Sequence, residues 1–340
     1  MNFRYSSAVR TVRDRILQRG FSLMPGLTSW TILLGMTALA VARPRLAAGL
    51  VIAFNLYWLL RMLFMTIFLV LSYVRLSLDR DTDWMARVRD LDRGSQRPEP
   101  SHGRRSLHRR LSDWLHRREL GAPGVDVLRP PSGRIVHLVI IPIMKEPEEI
   151  LAPGLVSLSR QSFPSNRILV VLAVEERASE EVKADVRRLQ RRFHHAFLEL
   201  MVVVHPDGLP GEARVKGANA TYAAKAAAAW LAERGVRNED VVASCFDADT
   251  VVDRQYVACL TCRFLTCQDR THASFQPIPV YHNNIWQVPG FARVMDIGSS
   301  FFQLIEATDP ERLVTFSRSP RQRCAPVILF STMSTISSSL

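Results

Sequence analysis

Two apolar runs near the start of the chain limit what it can fold into more than any other feature. Phe21 to Ala42 contains no charged residue, and Leu46 to Val74 contains only Arg61. Each run is long enough to cross a bilayer core of about 30 Å as a helix. Only Arg43-Pro44-Arg45 separates them, so the pair predicts a two-helix transmembrane hairpin. Arg4, Arg10, Arg13, Arg15 and Arg19 precede the first run against a single acid, Asp14, and a second basic stretch follows Val74. Heavily basic outer ends and a lightly basic link put both ends in the cytoplasm. The expectation is a multi-pass protein of the cell inner membrane with its larger domain cytoplasmic. A cleaved signal peptide is the rival for the first run, because Ala38-Leu39-Ala40 resembles a cleavage site. Arg61 is costly at membrane depth, and the reading adopted is that it snorkels to the interface.

Five segments follow from the pattern: a basic terminus (1–20), the hairpin (21–74), an Arg-rich juxtamembrane linker (75–134), an α/β domain (135–316) and an atypical tail (317–340). The stretch 75–118 holds twelve arginines, with scattered acids, glycine and proline and no sustained apolar face. Placed just inside a membrane, it suits anionic lipids at about 1 kcal/mol per basic residue near the surface. The aromatic interleaving that single-stranded nucleic acid requires is thin there, so nucleic acid is not an expected partner. The bland reading of the stretch is a solvated linker with one short helix over 107–120. The net charge of +12 comes almost wholly from arginine, since the only lysines are Lys145, Lys183, Lys216 and Lys225. Five cysteines, mostly late in the chain, do not form a disulfide framework and point to a reducing compartment.

From Ile135 apolar strand runs alternate with helical segments. Strands are predicted at 135–143, 168–174, 200–204 and 241–246, and helices at 148–161, 180–197, 219–234 and 256–264. Strands alternating with helices of this length predict a mostly parallel sheet with helices on both faces. The last strand belongs to V-V-A-S-C-F-D-A-D-T-V-V, Val241 to Val252, and runs into Asp247 and Asp249. Ligand sites in open α/β sheets lie beyond the carboxyl ends of the strands. Two acids placed there supply hard oxygen ligands that suit Mg2+ or Mn2+ with a phosphate-bearing substrate. The bland alternative is a polar strand end that caps the next helix.

The other strand ends are also polar. The first leads to Lys145 and Glu146, the second to Glu175 and Glu176, and the third to a glycine-bearing loop, 208–217, with Lys216 just before a helix. A lysine at a helix N-terminus suits phosphate, because backbone N–H groups and the helix dipole both favour anions. Carboxylates at the first two strand ends can accept hydrogen bonds from the hydroxyls and N–H groups of a nucleoside.

The ordered set I-I-P-I-M-K-E-P, S-L-S-R-Q-S-F-P, V-L-A-V-E-E-R, K-G-A-N-A, F-D-A-D-T and Q-P-I-P-V-Y-H-N-N-I-W resembles the membrane-associated family 2 glycosyltransferases, the cellulose-synthase-like and hyaluronan-synthase-like group. The resemblance covers roughly residues 136–316. It implies a GT-A fold, a nucleotide-diphosphate-sugar donor, a glycan or lipid acceptor and a divalent metal. It would place Glu146 and Glu175, or Glu176 in place of the latter, near the nucleoside, and Lys216 and Asn219 near the diphosphate and ribose. Asp247 would lie near the donor sugar, ribose or metal, and Asp249 on the metal.

Two departures bear on mechanism. Lys145 stands where the family has asparagine before the glutamate, and no downstream catalytic carboxylate motif or Q-x-x-R-W follows. After Asp309 and Glu311 there is no acid at all. An inverting transfer needs a general base for the acceptor hydroxyl; His205, His282 and Asp296 could be proposed, with structural roles preferred. The expectation that follows is a chain truncated by a frameshift near Ser317 or Arg318, with a poorly ordered tail, that binds donor without transferring sugar. Two other functions compete. One is a haloacid-dehalogenase-like phosphohydrolase with Asp247 as nucleophile. The other is a non-catalytic membrane protein that keeps the donor-binding fold. Cys259-x-x-Cys262 followed by Cys267 suggests zinc, but no fourth ligand is suitably spaced and small core thiols are preferred. Ser299 to Ile305, with Phe301-Phe302, reads as a core helix before it reads as an acceptor platform.

Overall fold

The computed structural model describes residues 12–93, 113–114, 129–209, 212, 215–267, 270–273, 275, 278–281, 289–291, 293 and 330–333. The chain divides into two units, residues 1–68 with 209–213, and residues 69–208 with 214–340.

The first unit holds helix α1, Val12–Ala42, and most of helix α2, Pro44–Arg80, with Arg43 alone between them. At 1.5 Å per residue these are about 46 and 55 Å long, and both are long and apolar enough to span a membrane. Polar side chains inside the apolar runs bond back to their own helix. Ser22, Thr28, Ser29, Thr37 and Thr66 donate to the carbonyl four residues earlier, as does the Asn55 amide. That pattern leaves few polar groups seeking an outside partner. Arg61 donates to the Tyr57 hydroxyl at 3.0 Å and lies 5.8 Å from the Trp58 ring centroid.

The second unit is built on four parallel strands: β1 (Val136–Ile143), β2 (Ile168–Glu175), β3 (Glu199–His205) and β4 (Val241–Cys245), in the order β3-β2-β1-β4. All eight residues of β1 are buried, as expected of a strand covered on both faces. Strand alternation divides its side chains. Val139, Ile141 and Ile143 face one core with helices α3 (Trp84–Asp92), α4 (Glu148–Ser159), α5 (Glu180–Phe193) and α7 (Tyr256–Thr266). Val136, Leu138 and Ile140 face helix α6 (Lys216–Glu233), whose Ala223, Ala227 and Leu231 form a buried stripe. The small stripe residues bring α6 close to the sheet. Gly235, with φ +71°, ends that helix; its N–H donates to Ala232 O and that of Val236 to Leu231 O, a turn that favours glycine.

Helix α3 lies inside the stretch read as a solvated linker, and that reading is corrected here. Trp84, Val88 and Leu91 recur at i, i+4 and i+7 and are buried in the main core. The arginines between them mask this stripe in a composition count. Arg87 and Arg263 stack on Trp84, 4.7 and 4.9 Å from its ring centroid, and the Trp84 indole donates to Asp79 O at 2.9 Å. The short helix expected over 107–120 lies outside the described residues apart from 113–114.

A second sheet has the order β5-β7-β6, with β5 at Val251–Val252, β6 at Ile278–Tyr281 and β7 at Phe330–Met333. Strand β7 falls inside the tail expected to stand outside the fold, yet it pairs antiparallel with β5 and parallel with β6. Backbone pairing accounts for this, since it needs only a short extended segment beside two others.

Cys259 and Cys262 are free and buried in α7, as core thiols should be, and burial pushes the Cys259 thiol up. The expectation of reduced cysteines fails at one of the four described, since Cys267 is disulfide-bonded. Among the described residues no cluster of three metal-binding side chains occurs.

His137, buried near the start of β1, bonds through Nε2 to Thr261 Oγ1 at 2.8 Å and lies edge-on to Phe163. Burial pushes its pKa down to about 3, whereas an unfolded histidine titrates near 6.5. The unfolded chain therefore takes up the proton first. Stability is complete above about pH 6.5 and falls as pH drops toward 3, by up to roughly tenfold in the folding equilibrium constant per pH unit. Denaturant titrations from pH 7 to 4 should show a shallower acid limb for His137→Gln; equal slopes would assign the acid sensitivity elsewhere.

Candidate functional site

Because the four strands are parallel, their carboxyl ends share one edge, and the polar residues after them gather there. Strand β4 ends at Cys245, and Phe246 N–H still donates to Ile140 O at 2.9 Å. The chain then turns: Thr250 N–H donates to Asp247 O at 3.0 Å, which closes a four-residue turn that carries both acids. Asp247 and Asp249 are half-buried there. Lys216, the first residue of α6, forms an ion pair with Asp247. The sheet edge thus brings a cation and one carboxylate together at the N-terminus of α6, with Asp249 two residues further along the same turn.

The remaining expected residues lie along the same edge but are held differently. Glu146 folds back, its Oε2 accepting the N–H groups of Met144 and Lys145 at 2.8 and 3.0 Å. Glu175, the last residue of β2, is ion-paired with Arg177, which raises the arginine's pKa. Glu176 accepts the Asp207 N–H at 2.8 Å and so fixes the turn after β3. With neighbouring strands about 4.8 Å apart, the end of β2 stands roughly 10 Å from that of β4 and the end of β3 roughly 14 Å.

Asn219, expected near the diphosphate and ribose, lies in the first turn of α6. It is buried, and its Nδ2 donates to Ala173 O at 2.8 Å, locking the first turn of α6 to β2. A helix this close to a strand needs a short amide to meet the strand carbonyl. His205 ends β3 at the far side of the sheet, its ring 5.0 Å from that of Tyr222, too distant across the strands to serve at Asp247. His282, Asp296 and the segment Ser299 to Ile305 lie outside the described residues.

Motif reasoning missed what holds the acidic turn. Gly154 in α4 packs directly beneath it: a Cβ there would lie 2.7 Å from Thr250 O. Ser157 Oγ accepts the Val252 N–H at 3.1 Å, and Ser162 N–H donates to Arg254 O at 2.8 Å. Gln161 takes the Val257 N–H on Oε1 at 3.0 Å and donates from Nε2 to Asp253 O at 2.7 Å. From the other side, Gln255 Oε1 accepts the N–H groups of Trp84 and Met85 at 2.7 and 3.4 Å. The signal was present in S-L-S-R-Q-S-F-P, where small and amide side chains interrupt a helix end.

Two carboxylates one residue apart in a half-buried turn suit a hard divalent cation, with the remaining coordination from phosphate oxygens and water. The donor set fits Mg2+ or Mn2+, and Asp247 and Asp249 are the residues that would hold it.

No protein-family model matches the chain, and no curated protein matches it in sequence. Among solved structures, the chain is similar to S. aureus TarS at 15% identity and a TM-score of 0.28, over 44% of this chain and 22% of that one. It is also similar to the mannosyltransferase PcManGT from Pyrobaculum calidifontis, in complex with GDP-Man and Mn2+, at 22% identity and a TM-score of 0.27, over 54% of this chain and 43% of that one. The chain therefore spans less than half the length of either protein, and the reading of the site rests on its own residues.

Proposed function

We propose that the chain is a GT-A-type glycosyltransferase that takes its sugar from a nucleotide-diphosphate donor at the cytoplasmic face of the cell inner membrane. The observation that carries this reading is the Lys216–Asp247 ion pair beside Asp249 at the carboxyl edge of a parallel sheet. It joins a phosphate-seeking cation to one member of the acid pair, which supports the reading. Glu146 and Glu175 follow β1 and β2, one and two strands from β4. They would receive the nucleoside while Lys216 and the N–H groups of α6 receive the diphosphate. Asn219 sets the place of that helix. Lys216 has three donors, so one can remain on Asp247 while another engages a phosphate oxygen. A Mg2+ or Mn2+ ion on Asp247 and Asp249 would supply positive charge to the leaving diphosphate. The acceptor is a glycan or a lipid, and the two apolar helices with the Arg-rich stretch after them would hold the domain against anionic lipid.

Asp249→Asn keeps the size of the side chain and removes its charge. Mn2+-dependent binding of a uridine or guanosine diphosphate sugar, measured by calorimetry on the full chain in detergent, should weaken at least about tenfold, or roughly 1.4 kcal/mol. Unchanged affinity would reject the metal assignment. A phosphatase activity abolished by Asp247→Asn would replace the transferase reading with the phosphohydrolase one.

A further inference from the structure

In the acidic turn the Thr250 N–H donates to Asp247 O, and Lys216 is ion-paired with Asp247. Beyond it the chain has only the two-residue β5 before α7 begins at Tyr256. Residues 250–257 carry the far end of that turn, so what fixes them bears on where the turn lies. Gln161 ties that segment at two points, because its amide is used at both ends. Oε1 accepts the Val257 N–H at the first turn of α7, while Nε2 donates to Asp253 O at 2.7 Å and to Ser157 O at 3.0 Å. The two contacts to the 250–257 segment span sequence separations of 92 and 96 residues, so they are tertiary ties and not local turns. Leucine at this position would lose every tie, glutamate would lose the donor, and asparagine would fall one methylene short.

Resting on the donor-site reading above, we propose that Gln161 is a positioning residue for the donor site. It holds the segment after the acidic turn so that Asp247 and Asp249 face one divalent cation together. It acts through the backbone of Asp253 and Val257, and its loss loosens the turn while the sheet stays intact.

The test uses the full chain in detergent, with GDP or UDP and MnCl2 as probes, and measures hydrogen exchange on the metal-free protein. In Gln161→Leu, exchange over 247–257 should accelerate by at least about tenfold while β1 and β2 keep their protection, because local opening is separable from global unfolding. The Mn2+ concentration for half-maximal nucleotide binding should rise by about threefold or more, with binding recovered at saturating Mn2+. Gln161→Asn, which keeps both polar groups, should fall between leucine and the parent. Unchanged exchange over 247–257 would overturn the proposal, as would equal loss of protection in β1 and β2, or an unmoved Mn2+ midpoint despite a loosened segment. A parent protein that binds neither nucleotide with Mn2+ would instead remove the donor-site reading itself.

Discussion

Asp79→Ala should cost the domain about 3–5 kcal/mol of stability, the largest effect expected of any single substitution at the described sites. Asp79, in the last turn of α2, and Arg263, in α7, are both buried, and Arg263 donates to Asp79 Oδ1 at 3.4 Å. Removing the carboxylate takes an anionic acceptor away from a buried guanidinium that cannot lose its proton. Stacking on Trp84 offsets part of that, since a cation over an indole contributes about 2 kcal/mol when desolvated, but it was present before the substitution and gains nothing from it. For a domain of this size the thermal midpoint should fall by roughly 10 °C or more. Replacing both partners, Asp79→Leu with Arg263→Met, should recover most of the loss, since apolar pairs of similar volume often match buried ion pairs. A midpoint that moves by less than about 2 °C in Asp79→Ala would show that the pair carries little of the docking.

Gly154→Ala comes second, because two opposing effects meet at one atom. Alanine favours a helix over glycine by about 1 kcal/mol. Against that, its Cβ would lie 2.7 Å from the Thr250 carbonyl oxygen, a backbone atom that cannot rotate away. Overpacking of this kind costs about 1–3 kcal/mol, so the clash outweighs the propensity gain. The turn has to move, and the displacement falls on the peptide next to Asp249. The expected result is a modestly lower midpoint and at least a tenfold loss of Mn2+-dependent nucleotide affinity. Gly154→Ala protein that binds as tightly as the parent would show that the turn yields without disturbing its carboxylates.

The sheet was legible because its strands are uninterrupted apolar runs. Val136–Ile143, Ile168–Glu175, Glu199–His205 and Val241–Cys245 each lie within a residue of where their hydrophobic pattern begins and ends. Helix ends were less sharp: α5 stops at Phe193 and not at 197, and α6 starts at Lys216, three residues before its first expected turn. The site was legible in its chemistry, not in its contacts. Lys216 and Asp247 could be placed at one sheet edge from the parallel sense of the strands, whereas nothing in K-G-A-N-A says that Asn219 bonds to Ala173 O. Helix α3 was hidden because Arg87, Arg89 and Arg93 outvote three apolar residues whose spacing, not number, defines the buried face. The roles of Gly154 and Gln161 depend on approach distance and amide orientation, which no composition or period encodes.

The bond from Trp84 N–H to Gln255 Oε1 joins residues 171 positions apart. Trp84, Val88 and Leu91 are made early in translation, and the helix that covers them, α7, is made late. At about 5–20 residues per second a ribosome needs roughly ten to thirty seconds to bridge that gap. Through that interval the Trp84 face has no cover, while the strands that share its core emerge one after another. Residues 12–80, which form the two longest helices, are complete before any of this begins. During synthesis the nascent domain therefore carries an open apolar flank, and it closes only when the residues immediately after the acidic turn leave the exit tunnel.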